Sequence, residues 1–202
     1  RVKDLTLDPS VFPNAEELQK NENLGRLKTT TAMGDANNDG FYEEIYGYGG
    51  RSFAIMDGNS GNIIYDSGND IAVRTAFTGF FNWNEDAGSF DDRSDDKGAE
   101  PEAITVGEID GKTYVFVGLE RQGGIMMYDI TGIIKPKFVG YFNGRNFFGD
   151  GTKMTGGDIS PESLVFIPAD KTPPAYKALN DGPLLIGAYE LSGSTAVYQI
   201  NN

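Results

Sequence analysis

The chain has no cysteine and no histidine among its 202 residues. The first absence excludes a disulfide framework and thiolate metal sites. The second removes Ser-His-Asp and Cys-His triads, histidine-ligated zinc, and the commonest general base at neutral pH. Any catalysis falls to carboxylates, Lys, Arg, Tyr or metal-bound water. No apolar run approaches the ~20 residues that a membrane-spanning helix needs, and stretches such as Tyr114-Val115-Phe116-Val117 are short and strand-like. Positive charge is scarce: 17 basic against 30 acidic side chains give −13, which repels nucleic acid and anionic membranes and concentrates cations. Neither a nucleic-acid partner nor a membrane span is expected. The chain begins at Arg1 without an initiator methionine or an apolar leader, which reads as a processed product or a fragment.

Acidic residues are plentiful, and nine positions use them in a pattern. Asp35-Ala36-Asn37-Asn38-Asp39-Gly40-Phe41-Tyr42-Glu43 places oxygen donors at positions 1, 3, 5 and 9 around a glycine at position 6. A hard cation such as Ca2+ takes six to eight oxygens at about 2.3–2.6 Å, and alternate residues of a tight loop can point inward to supply them. The expected ligands are Asp35, Asn37, Asp39 and Glu43 through side chains and Phe41 through its carbonyl. The EF-hand needs a bidentate Glu at position 12, where this chain has Tyr46. The flanking runs, Leu27–Met33 and Ile45–Tyr48, read as strands, so the loop suits the shorter calcium loops between β-propeller strands. A solvated Asx-rich hairpin turn without an ion is the competing reading.

Elsewhere the pattern is all-β: short runs of Val, Ile, Phe and Tyr alternate with Gly, Asn and Asp turns, and 27 glycines favour many tight turns over a helical bundle. One short helix is expected after Asn14, over Ala15–Lys20. The chain also repeats itself. Pro101-Glu102-Ala103-Ile104 aligns with Pro161-Glu162-Ser163-Leu164, Val115–Glu120 with Leu184–Glu190, and Gly123–Ile130 with Gly193–Ile200. A repeat of this length, holding three or four strands, marks blades of a β-propeller. The expected organisation is an opening segment with a short helix (1–24), a blade with the calcium loop (25–76), an acidic inter-blade loop (77–100), a blade (101–142), a loop (143–160) and a blade (161–202). These are too few blades for most closed propellers, so upstream blades of the same protein are the expected structural partner.

The repeat also places Glu102 with Glu162 and Glu120 with Glu190. If those strand ends face the axis, four carboxylates converge on the channel mouth, joined by Asp158, and require a cation or raised pKa values. The alternative is that each glutamate bonds a neighbouring backbone amide and holds its turn. Glu102, Glu120, Arg121, Glu162 and Glu190 are the catalytic candidates. Arg51, Arg74, Arg93, Arg121 and Arg145 could contact a phosphate, or could be salt-bridge partners on an acidic surface. Trp83, Phe80, Phe81, Phe147 and Phe148 fall in or beside the two long loops, where they tuck the loops down or form an interaction patch.

Four stretches carry a family resemblance: Arg1–Pro9, Gly49–Phe53, Phe90–Gly98 and Val117–Arg121. Through them the whole chain resembles the C-terminal part of the choice-of-anchor I family, which is also similar to an animal mesenchyme-specific cell-surface glycoprotein. The resemblance implies a seven-bladed propeller, longer than this chain, secreted or attached to the cell surface in an extracellular or periplasmic setting. It also implies a connection to alkaline phosphatase through some relatives. Two functions are therefore expected. One is a secreted calcium-binding propeller that serves as an extracellular or cell-surface interaction module for a protein or glycan. The alternative is a metal-dependent phosphoesterase of alkaline-phosphatase type with calcium in a carboxylate-lined channel.

Overall fold

A computed structural model describes residues 1–85, 90–177 and 182–200. Its regular elements are mostly strands in antiparallel sheets with few helices, as the all-β reading expects. In chain order they are α1 (Ala15–Leu18), β1 (Ala54–Met56), β2 (Ile63–Asp66), α2 (Asp70–Ala76), β3 (Pro101–Ile109), β4 (Lys112–Leu119), β5 (Ile125–Asp129), β6 (Lys137–Phe142), β7 (Pro161–Ile167), α3 (Pro174–Lys177), β8 (Leu184–Tyr189) and β9 (Ser194–Gln199). Each sheet is a meander in which sequential strands pair: β1-β2, β3-β4-β5-β6 and β7-β8-β9.

The four-stranded sheet lies between two apolar layers. Because successive side chains of a strand point to opposite faces, β4 and β5 can serve both layers at once. Val115, Val117, Leu119, Met126 and Tyr128 face Phe53, Ile71 and Ala99, which come from the β1–β2 hairpin, α2 and the acidic segment. Ala103, Ile109, Phe116 and Ile125 face Leu164 and Leu185 of the three-stranded sheet. There the Phe116 and Phe166 rings stack with centroids 5.9 Å apart. A Cβ at Gly107 would meet the Phe166 ring at 2.4 Å, so the bare backbone of β3 is the socket that receives β7.

The first third departs from expectation. Leu27–Met33 and Ile45–Tyr48 were expected to be strands but form no regular ladder; they are joined by the bridge Thr29↔Gly47 and by Tyr48 OH, which donates to Thr29 O at 3.0 Å. The reason is competition for backbone groups: the Lys28 N–H bonds Asp95 O at 2.9 Å in the acidic segment instead of a strand neighbour. The opening helix is present but lasts one turn, and the Asn14 side chain makes no cap hydrogen bond. Val2, Leu5 and Leu7 form a small separate core with Phe12, Leu27, Tyr42 and Ile45 around them.

Phe116 is 3% exposed at the centre of the inter-sheet face. Phe116→Ala is expected to lower unfolding stability by about 3–5 kcal/mol, read by urea denaturation. A loss below about 1 kcal/mol would mean that the two sheets do not share a core there.

Candidate functional site

Two clusters of carboxylates lie on different parts of the fold. The first is the 35–43 loop. Gly40, at φ 91°, and Asn38, at φ 59°, let the chain coil back on itself. At Gly34 a Cβ would stand 2.4 Å from Glu44 O, so only glycine lets the loop close. The coil is held by its own acids: Asp35 Oδ1 accepts from Asp39 N–H (3.1 Å), Asp35 Oδ2 from Gly40 N–H (3.0 Å), and Asp39 Oδ1 from Phe41 N–H (2.8 Å). Glu43 reaches back across the coil, accepting from Ala36 N–H at 2.9 Å and Asn37 Nδ2 at 3.1 Å.

Asp35, Asp39 and Glu43 each bring one carboxylate oxygen within 4.8 Å of the others. Opposite ligands of a calcium ion stand about 4.6–5.2 Å apart, twice the metal–oxygen bond length, so the spacing fits that ion. The donor set is all oxygen, which suits a hard cation. Asn37 is tied to Glu43 and Phe41 to Asp39, so all five expected positions belong to one coil.

The second cluster comes from the repeat, and it is closely duplicated. Glu100 and Ser160 both precede a proline and both lie in the left-handed region, at φ 59° and 63°. The carbonyl of each accepts the amide of the glutamate that ends the paired strand: Glu120 N–H to Glu100 O and Glu190 N–H to Ser160 O, both 2.8 Å. Both ladders then slip by one residue, between Pro101 and Ala103 and between Pro161 and Ser163. The residues inside the two bulges are Glu102 and Glu162, and bulges re-aim side chains.

The four expected glutamates are thereby brought together. Glu100, Glu102 and Glu120 form one group with oxygens within 4.8 Å, and Glu120, Glu162 and Glu190 form another. Glu120, shared by both, is 2% exposed. Burial pushes its carboxyl up to about 8, aided by a hydrogen bond with Glu102 and the charges of Glu102 and Glu162. Glu162 is also raised, by burial first and then by its hydrogen bond with Glu190. Asp158 is turned elsewhere, accepting from Ser194 Oγ at 2.7 Å and Tyr198 OH at 3.2 Å.

Arg121 sits among these acids. It pairs with Glu85, with Glu120 at 2.8 Å and with Glu100 at 3.1 Å. Burial lowers its pKa, against the charges of Glu190 and Glu162. Glu100 also pairs with Arg93 at 2.8 Å and with Lys97. Spacing did not single out Glu85 or Glu100. Glu85 lies in an irregular segment and reaches the cluster through Arg121 and Ser160 Oγ (3.0 Å). Glu100 could have been found from its place just before the repeated proline.

Arg1, Arg26, Arg51 and Arg145 hold the acidic segment in place. Arg51 donates to Ser94 O at 2.7 Å and Asp96 O at 2.6 Å, while Arg145 donates to Arg121 O, Asn84 O and Glu85 O. Arg74 pairs with Asp70 at 2.6 Å and lies over Phe138. Arg1 and Arg26 share Asp95, and Lys28 takes Asp96. The two long loops meet through aromatics: Phe80 stacks on Phe147 at 3.9 Å, with Trp83 edge-on to both. Phe81 packs against Phe90, whereas Phe148 remains 87% exposed.

A carboxyl whose pKa rises on folding keeps its proton in the native state above the pH at which the unfolded chain loses it. The stability it supplies is lost as pH climbs through the folded value. In metal-free buffer the melting temperature is therefore expected to fall between about pH 5 and about pH 8.5, and Glu120→Gln to flatten that fall. An equal slope in the variant would show that Glu120 is not the titrating group.

The choice-of-anchor I domain matches residues 1–133, a stretch that contains the 35–43 loop, the acidic segment and the paired Glu102 and Glu120. Gigasin-3a of Magallana gigas is 27% identical over 198 residues, covering 91% of this chain and 66% of that protein. The chain thus spans just under two thirds of the length of this relative. No solved structure matches the chain. The family match extends through the loop, the hairpin β1–β2 and most of the four-stranded sheet, and on that extent the chain belongs to the choice-of-anchor I family.

Proposed function

We propose that this chain is a calcium-stabilised part of a β-propeller that works as an interaction module at the cell surface or in the extracellular space. The carrying observation is the coil in which Asp35, Asp39 and Glu43 converge at a spacing that suits calcium. The ion would join the two ends of the loop and offset the repulsion of three carboxylates, which makes its role structural. The propeller reading is supported by two meander sheets with the same turn, bulge and terminal glutamate, packed face to face. The family is one of cell-surface-associated domains, which supports the location. Phe148, 87% exposed and edge-on to Phe80 at the aromatic junction of the two long loops, offers a contact point for a protein or glycan.

A second reading rests on the glutamate cluster. A carboxyl that is protonated near neutrality beside other carboxylates could work as an acid with a metal-bound phosphate ester, in a phosphoesterase of alkaline-phosphatase type. Such an enzyme also needs a cation to hold the phosphate. Arg121 and Arg51 are both taken up by acceptors of the protein itself, which favours the interaction module.

Adding calcium to chelator-treated protein is expected to raise the melting temperature, by an amount equivalent to about 2.7 kcal/mol at roughly a hundredfold excess over Kd. Asp39→Asn with Glu43→Gln is expected to abolish the rise. A rise that survives in the double variant would place calcium elsewhere, and no rise in the parent chain would remove the calcium reading. The enzyme reading predicts turnover of a chromogenic phosphate monoester that needs divalent metal and is lost in Glu120→Gln. Metal-independent turnover, or none with any divalent ion, would end it.

A further inference from the structure

The antiparallel pairing puts the starts of β3, β5 and β7 and the finishes of β4, β6 and β8 at one end of the sheets, together with both long loops and the glutamate cluster. From this end a small loop projects, and Arg145 and Gly157 form an antiparallel bridge at its neck. It is braced from within. Asn146 N–H donates to Gly156 O at 2.8 Å, Asn146 Nδ2 to Thr155 O at 3.0 Å, and Asp150 N–H to Thr155 Oγ1 at 2.8 Å. A Cβ on Gly149 would collide with Thr155 O, so the two arms of the loop touch.

The loop uses its two adjacent phenylalanines in opposite ways. Phe147 turns inward, stacked on Phe80 at 3.9 Å with the Arg145 guanidinium 4.6 Å from its ring, while Phe148 is left 87% exposed. On the other arm Met154 is 83% exposed and takes φ 59°, a backbone conformation that costs a residue with a side chain and persists only where its surroundings enforce it. Each lies one residue from the contact between Gly149 and Thr155, which keeps both exposed side chains on one compact loop. A braced loop gives up little freedom on binding, and large apolar side chains held in water on such a loop mark a contact surface.

The surroundings set the sign of the partner. The loop's one lysine, Lys153, is paired with Asp150 at 2.8 Å. At the neck Arg145 Nη1 donates to Arg121 O at 2.8 Å, which joins the loop to the acidic centre. There Glu102, Glu162 and Glu190 are exposed and make no ion pair among the described residues. With a net charge of −13 on the chain, this end attracts basic groups and repels anionic membranes.

From the braced loop, its two exposed apolar side chains and the acidic surroundings together, we infer that the 146–156 loop is a docking element and that its partner is a cationic protein segment carrying both apolar and basic side chains. Phe148 and Met154 take the apolar groups, and Glu102, Glu162 and Glu190 attract the basic ones. The inference rests on the interaction-module reading and narrows the partner to a protein. It does not depend on calcium.

Three labelled peptides of equal length test it by fluorescence anisotropy: one alternating leucine and lysine, one of lysine alone, and one alternating leucine and glutamate. The leucine–lysine peptide is expected to bind at least about tenfold more tightly than the lysine peptide, and the leucine–glutamate peptide not to bind. Phe148→Ser with Met154→Ser is expected to remove that preference. Ile134→Ser, at a residue 79% exposed in the β5–β6 turn at the opposite end, is expected to leave it unchanged. Equal affinity for the leucine–lysine and lysine peptides would leave charge alone at work and overturns the inference, as does binding of none of the three. A preference that survives in the double variant also overturns it, by placing the docking surface elsewhere. Binding of phosphatidylcholine vesicles that is lost in the double variant assigns the loop to a lipid surface and overturns the protein partner. The module reading falls on a different result, metal-dependent turnover of a phosphate ester. If the double variant unfolds, the comparison of the three peptides on the parent chain still decides.

Discussion

Two backbone bonds govern the acidic centre of this protein: the amide of Glu120 to the carbonyl of Glu100, and the amide of Glu190 to the carbonyl of Ser160. Each carbonyl is presented by a residue with positive φ just before a proline, a conformation with a steric cost that persists only where the surroundings enforce it. The enforcement is visible. The preceding residue, Ala99 or Ile159, is buried, and the following proline opens a strand whose first pair is made with Leu119 or Tyr189. The bulge that follows then turns Glu102 and Glu162 toward the glutamates at the opposite strand ends. A single backbone device, used twice, collects four carboxylates.

Like charges so collected must be neutralised, protonated or bridged. Arg121 neutralises part of the charge through Glu85, Glu100 and Glu120, and protonation of Glu120 relieves more. This arrangement makes the cluster a tether as well as a candidate site. Through Glu85, Glu100 and Arg145, the acidic segment is bound to the junction between the four-stranded and three-stranded sheets. Through Asp95, Asp96 and Arg51, the same segment is bound to the opening third of the chain. The sequence presents residues 77–100 as an inter-blade loop. In the fold, residues 90–100 form a girder with ion pairs on both sides.

Legibility along the chain followed the range of the interactions. The 35–43 coil was readable because its hydrogen bonds join residues within seven positions of one another, so type and spacing nearly determine its form. The strands of the repeat were readable from apolar runs, and the duplicated Pro-Glu start marks Glu102, Glu120, Glu162 and Glu190 as equivalent positions in the sequence itself. The helix α2 was not foreseen: Ile71 and Thr75 bury one face of a seven-residue run in which three residues are β-branched. Nor was the lack of a ladder at Leu27–Met33, because the competing acceptor, Asp95 O, lies far along the chain. Glu85 was invisible for the same reason.

By itself the sequence determined the chemistry that is available: oxygen ligands and carboxylates without thiols or imidazoles, an excess of negative charge, an all-β pattern and a two-fold internal repeat. These are properties of composition and of neighbours along the chain, where propensity and turn chemistry act. The tertiary structure decided which acids share a desolvated space, which arginines are already engaged, and which glycine of β3 receives the Phe166 ring. Those outcomes depend on contacts between residues tens of positions apart, and local sequence carries no code for the partner that will arrive.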